Sequence, residues 1–321
     1  MIKEPAPQRT EATVSAPTEE RHPGTGGLDA MSTLELLRTL NDEDALVAPA
    51  VAQVLPQLAS AVDLTVERLR AGGTVHYFGA GTSGRLAVID AAELLPTFNA
   101  PAGLFVAHHA GGPAALVAAV ENVEDDVELG ARDAAALGRL DVVVGLTASG
   151  RTPYVAGALA VARERGALTL LVTANPQAEL AADVDVLLAV DTGPEVITGS
   201  TRLKAGTAQK LVLNGFSTAV MVRLGRTWSN LMVDVVATNA KLRGRVIRIL
   251  REASGADEHS ARSALEQSGG ELKTALLTLL AEIGPDDARA ALTRHDGSVA
   301  QALRALQNPH GTAPHEQETS R

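Results

Sequence analysis

Apolar residues along this chain follow two periodicities, and the place where one gives way to the other sets the architecture. From Ser32 to Arg70 the residues Leu34, Leu37, Leu40, Val47, Val51, Val54, Leu58, Val62, Val66 and Leu69 recur at helical spacing. Beyond Thr74 the pattern changes to short apolar runs at 74–78, 104–107, 141–146, 168–172 and 186–190, with helical stretches among them. Strands alternating with helices imply right-handed crossovers. The expected fold is therefore α/β, a doubly wound parallel sheet preceded by long helices. In such sheets ligands gather where the carboxyl ends of the strands meet the following helices, so the chemistry is to be sought in those turns.

The pattern changes again after residue 256. No strand signal remains up to 307, and two similar stretches follow each other: Ala261-Arg-Ser-Ala-Leu265 through Gly270 to Ala275-Leu276, and Ala288-Arg-Ala-Ala-Leu292 through Gly297 to Ala302-Leu303. This reads as a repeated helix–Gly–helix unit, a small bundle suited to supporting oligomerisation. It also has the look of ubiquitin-associated-like three-helix domains, a likeness of fold that names no partner. Both ends of the chain, rich in Pro, Gly, Thr and Glu, have little to bury. The expected division is a tail at 1–28, a catalytic domain at 29–254, a helical domain at 255–307 and a tail at 308–321.

Composition narrows the classes of function. Of 321 residues 45% are hydrophobic but only 2% aromatic, so the core must be built from Ala, Val and Leu. A net charge of −10 argues against nucleic-acid or anionic-membrane partners, since both need a cationic face. The absence of cysteine excludes disulfides, thiolate nucleophiles and Cys-ligated zinc. No segment has a signal peptide's apolar core or the ~20 apolar residues of a membrane span, which makes the cytoplasm the default location.

Three turns carry candidate chemistry. Gly79-Ala-Gly-Thr-Ser-Gly-Arg85 follows the first strand and satisfies G-x-G-x-x-G. A dinucleotide site would also want an acidic residue ending the second strand, where this chain has Ala107-His108-His109, so no nicotinamide cofactor is expected. Thr82 and Ser83 place two hydroxyls beside glycine amides at a helix N-terminus; taken alone they fit an anion site or an N-cap equally. The second turn, Thr147-Ala-Ser-Gly-Arg-Thr-Pro153, repeats the Ser-Gly-Arg triplet, with Pro153 suited to a first helical turn. Ser149, Gly150, Arg151 and Thr152 thus join Ser83 as an expected anion pocket. The third, Thr198-Gly-Ser-Thr-Arg-Leu-Lys-Ala-Gly-Thr-Ala-Gln-Lys210, offers Ser200 and Lys204 to a phosphate or sugar oxygen.

Together these turns resemble the sugar-isomerase (SIS) fold, and their full wording resembles the N-acetylmuramic acid 6-phosphate etherases. The likeness includes Asp90-Ala-Ala-Glu93, Pro96-Thr-Phe98, Ala119-Val-Glu-Asn122 and Asn230-Leu-Met-Val-Asp-Val235, and runs from about Leu34 to the end of the helical appendage. It implies a cofactor-independent lyase of peptidoglycan recycling that splits the D-lactyl ether of a sugar phosphate with water, and a homodimer. By motif the family's two catalytic carboxylates fall on Glu93 and Glu124. An ether is a poor leaving group, so elimination is the expected route: a base takes the C2 proton beside the open-chain C1 aldehyde, an acid assists departure of the C3 lactate oxygen, and water adds back. Glu93, beside Leu94-Leu95-Pro96, is expected to be desolvated and to act as the acid. Glu124, in the cluster Glu121-Asn-Val-Glu-Asp-Asp126, is expected as the base, although acidic runs are usually solvated faces and Glu121 or Asp125 could fill the role. His108 and His109 should face opposite sides of a strand, and no metal site is expected. The rival readings are an aldose–ketose isomerase on the same fold and a sugar-phosphate-sensing regulator. Glucokinase regulatory protein is similar but has paired SIS domains, and this chain has room for one. A SIS-type transcription regulator would need a basic helix-turn-helix that the N-terminal segment lacks.

Overall fold

The structure is a computed structural model that describes residues 16–118, 120, 122–234 and 240–308, without side chains at 240–243. The chain divides into two units. One comprises the described residues up to Ala61 with Arg68–Ile89 and Val106–Asn214; the other comprises Val62–Glu67, Asp90–Phe105 and the described residues from Gly215 onward.

The first unit is built on five strands: β1 Val75–Gly79, β2 Phe105–His109, β3 Val142–Leu146, β4 Leu168–Thr173 and β5 Val186–Ala189. Their order is β2-β1-β3-β4-β5, and β1/β3, β3/β4 and β4/β5 pair in parallel, with Gly79 opposite Leu146 at the carboxyl ends. The order reverses between β1 and β3, which opens a crevice at the ends of those two strands. Every residue of β3 and β4 is buried, as befits strands covered on both faces. The strand runs expected at 74–78, 104–107, 141–146, 168–172 and 186–190 each coincide with one of these strands to within two residues.

Helices precede and link the strands: α1 Thr33–Asp44, α2 Val47–Ala52, α3 Leu55–Arg70, α4 Gly81–Phe98, α5 Ala114–Val117, α6 Val127–Asp133, α7 Pro153–Arg165 and α8 Lys204–Arg223. Ser32 and Glu35 form a reciprocal capping box that starts α1. Helices α6 and α7 meet backbone to backbone. A Cβ added to Gly130 would lie 1.9 Å from the Tyr154 carbonyl oxygen, and one on Gly157 would lie 2.0 Å from that of Val127. No residue larger than glycine fits either place. Within the stretch expected as a tail, residues 16–28 are ordered: a 3-10 turn spans Pro17–Glu19, a second begins at Leu28 and runs to Ala30, and Gly199 N donates to Thr18 O at 3.0 Å. The pattern hid this because so short a segment buries only Ala16 and Thr18 and is held by backbone hydrogen bonds. Residues 1–15 and 309–321 lie outside the described residues.

The second unit contains a short hairpin, β6 Thr227–Trp228 with β7 Leu231–Met232, and helices α9 Ala240–Ser254, α10 Glu258–Gln267, α11 Leu272–Ala281, α12 Pro285–Arg294 and α13 Val299–Gln307. The repeated helix–Gly–helix unit is visible in the bonding. Gly270 N donates to Leu265 O and Gly297 N to Leu292 O, each at 2.8 Å, both glycines at positive φ. Helix α9 contributes Val246, Ile249 and Leu250 to the same core as Leu276, Leu292 and Val299. The expected boundary after 254 therefore cuts through a shared core; α9 is amphipathic, and its apolar stripe alone does not reveal which neighbours it covers.

Candidate active site

The carboxyl ends of β1 and β3 open into a cavity of about 730 Å³. Thr82 and Ser83 from the start of α4 line it, as do Thr147, Ser149, Arg151 and Thr152 from the turn before α7, and Glu124 with Asp125 from the segment before α6. Two helix N-termini thus face one space, and their unpaired N–H groups and dipoles favour an anion there. Gly150 supplies the bend between the hydroxyls: its φ is +77°, which an L side chain adopts only with strain.

The α7 turn is held from behind. Thr147 Oγ1 lies 2.7 Å from Thr152 Oγ1 and accepts from Gly150 N at 3.2 Å, while Asn175 Nδ2 donates to Ser149 O and Leu180 N to Gly150 O. The carbonyls are thereby committed to the scaffold, leaving hydroxyls and the Arg151 guanidinium toward the cavity. Arg151 has Glu179 as an ion-pair neighbour at 3.9 Å. Ser83 is 8% exposed and lies 2.9 Å from Gln209 Oε1, whose amide nitrogen is buried without a partner. A half-turn of that amide would let Nε2 donate to Ser83 and leave the Ser83 hydrogen free to meet an anion.

Not every residue expected in the site lines this cavity. Lys204 is 2% exposed and its ammonium lies 2.7 Å from Glu43, which also approaches His22 at 3.1 Å. The hydrogen bond from Lys204 holds the Glu43 carboxyl below its ordinary range. The fully buried Glu195 accepts from Lys204 N and Ala205 N at 3.0 Å each and so caps α8. Burial pushes its carboxyl up despite those donors. Lys204 thus belongs to a structural ion cluster in this arrangement, and Thr201 rather than Ser200 lines the cavity. A lysine in a hydroxyl-rich turn gives the same sequence signal whether it faces a ligand or a buried carboxylate.

Glu124 is exposed at the cavity, and its backbone carbonyl accepts from Tyr154 N at 3.0 Å, which ties it to the first turn of α7. Glu121 lies outside the described residues. Glu93 is exposed on the part of α4 that belongs to the other unit, with Leu95 56% exposed beside it. Among the described residues, then, the apolar cover expected around Glu93 is missing, because Leu94 is buried in the core while Leu95 and Pro96 are exposed. His108 and His109 do face opposite sides of β2. His108 stacks on Phe78 and lies 3.0 Å from His76, and burial beside that second imidazole lowers it to about 4. His109 is buried against the Ala110 and Gly81 carbonyls, and among the described residues no group of three or more His, Cys, Asp or Glu could hold a metal. Sequence reasoning missed Glu19, Thr147 and Thr201. The two threonines sit beside residues it did single out, whereas nothing in the apolar pattern pointed to Glu19.

Comparison with known proteins gives concordant matches. Residues 57–163 match the glucokinase regulatory protein N-terminal SIS domain, and residues 117–219 match the SIS domain. The chain is 62% identical to the N-acetylmuramic acid 6-phosphate etherase of Thermobifida fusca (strain YX), over 83% of this chain and 88% of that protein. It is 54% identical to the etherase of Pectobacterium atrosepticum over 89% of this chain and 95% of that one, and 52% identical to that of Serratia proteamaculans over 89% and 97%.

Proposed function

Because this chain belongs to the N-acetylmuramic acid 6-phosphate etherase family, we propose that the cavity at the ends of β1 and β3 holds the 6-phosphate and presents the sugar to Glu124. The reaction is cleavage of the D-lactyl ether of N-acetylmuramic acid 6-phosphate by water, giving N-acetylglucosamine 6-phosphate and D-lactate. Ser83, Ser149 and Thr152 supply hydroxyl donors to the phosphate, Gly150 the bend, Thr82 a further hydroxyl and Arg151 the counter-charge. Glu124 then takes the C2 proton, whose acidity comes from the neighbouring aldehyde, and the C3–oxygen bond breaks toward lactate. Glu93 protonates the leaving oxygen; its role rests on its motif in the family. Water adds at C3 while a proton returns to C2. The observation that carries this reading is that Glu124 lines the same cavity as the α7 turn. The same reading makes the enzyme a cytoplasmic homodimer; among the described residues no single helix is long and apolar enough to cross a membrane.

An isomerase on this fold would also take a C2 proton but would deliver it to C1 and release nothing. The test is turnover of N-acetylmuramic acid 6-phosphate in deuterated, oxygen-18-labelled water. Elimination places deuterium at C2 and the heavy oxygen at C3 of the product, and leaves lactate with its original oxygen. Substrate protium retained at C2, with heavy oxygen in lactate, would mean cleavage on the lactyl side and would end the elimination mechanism.

A further inference from the structure

The N-terminal segment sends one carboxylate into this cavity. We propose that Glu19 is a specificity-determining residue that accepts hydrogen bonds from the hydroxyl and acetamido donors of the bound sugar, an inference that rests on the etherase reading for the sugar's identity. The backbone around Glu19 is fixed from the loop before α8. Glu19 N donates to Ala16 O and Gly199 N to Thr18 O, both at 3.0 Å, and Thr25 Oγ1 donates to Val196 O at 3.0 Å. Thr18 is 1% exposed, so the turn is seated by a buried neighbour. The loop also makes room for the side chain. Gly199 has φ +75°, and a Cβ there would stand 3.0 Å from Glu19 Oε2.

Glu19 lines the cavity with Ser149, Arg151 and Glu124 and is exposed there, and among the described residues its carboxylate has no hydrogen-bond or ion-pair partner. A fixed backbone that delivers an unpartnered acceptor suits a ligand better than the scaffold. An ionised carboxylate can only accept, and it repels other anions. The substrate has two anionic groups, the phosphate on C6 and the lactyl carboxylate on C3; its O–H and N–H donors are the C4 hydroxyl between them and the C2 acetamido and C1 hydroxyl beyond. Glu19 is therefore matched to those neutral donors of the sugar, while the hydroxyls at the helix N-termini are matched to the phosphate.

The experiment compares Glu19→Ala, Glu19→Gln and Ser149→Ala in the full chain, reading D-lactate release from N-acetylmuramic acid 6-phosphate, inorganic-phosphate affinity by calorimetry, and Tm. Loss of a hydrogen bond to a charged group predicts that Glu19→Ala raises KM about tenfold or more. Its phosphate affinity and Tm should stay those of the wild type. Glu19→Gln, which keeps one acceptor oxygen, should recover part of the loss, whereas Ser149→Ala should weaken phosphate itself. A wild-type kcat/KM in Glu19→Ala, or a loss matched by equal loss of phosphate affinity or of Tm, would overturn the proposal while leaving the etherase reading standing. A wild-type protein that releases no D-lactate would overturn that reading and this inference together.

Discussion

Two Ser-Gly-Arg triplets, at Ser83 to Arg85 and at Ser149 to Arg151, follow adjacent strands of one sheet, and the same three letters do different work in each. The first lies inside α4, two residues past its start. Its arginine folds back on α5, where Arg85 Nε donates to Leu116 O at 2.9 Å and Nη2 to Ala115 O at 2.8 Å. Its glycine allows close packing, since a Cβ on Gly84 would lie 2.5 Å from both Gly79 O and His109 Cδ2. The second triplet lies ahead of α7. There the glycine is left-handed and the arginine lines the cavity. Where the triplet falls relative to the first helical turn decides whether its cation braces a neighbouring segment or lines the cavity.

The comparison breaks most visibly at the glycines. Alanine at Gly150 would set its Cβ 2.2 Å from that of Ala178 as well as straining φ, and alanine at Gly84 would meet backbone. Each substitution should cost on the order of 3 kcal/mol or more, read as a lower midpoint in urea at unchanged slope. Wild-type stability in Gly84→Ala would contradict the packing of His109 beneath α4. The arginines sharpen the contrast at the next level. Arg85→Ala should lose about 1–3 kcal/mol of stability, because it strands two carbonyls, and should lower kcat by loosening the segment that leads to Glu124. Arg151→Ala should lower Tm less than Arg85→Ala and raise KM; the reverse pattern would exchange the two roles. The serines give the smallest effect. Ser149→Ala should raise KM about tenfold with little change in kcat. Unphosphorylated N-acetylmuramic acid should be a poor substrate for the wild type and should lose less in that variant; equal use of both sugars by the wild type would remove the phosphate from the pocket.

Strand positions and the glycine turns were legible because they follow from local rules. A buried strand must be a short apolar run, and a left-handed residue is most often glycine. The placement of Lys204 was not legible, since only the fold brings Glu43 to it across 161 residues of chain. Nor was Arg85, whose triplet is identical to that of Arg151 and whose carbonyl partners carry no side-chain signature. Residues 16–28 escaped for a related reason. Order there comes from backbone hydrogen bonds, which any composition can make, while the apolar pattern reports only burial.

The contact between α6 and α7 sets a ruler. Gly130 and Gly157 bring these helices together at the backbone, and Tyr154 N holds the Glu124 carbonyl at 3.0 Å. The separation between the backbone at Glu124 and the hydroxyl-bearing turn before α7 is therefore a property of the main chain. Rotamers move the carboxylate and the hydroxyls only about those fixed points. A lineage shifting this scaffold to a much longer or shorter sugar phosphate would exhaust what side-chain exchange can reach; it would have to insert or delete a residue between Glu124 and Val127, or between Thr147 and Pro153, and so re-cut the gauge itself.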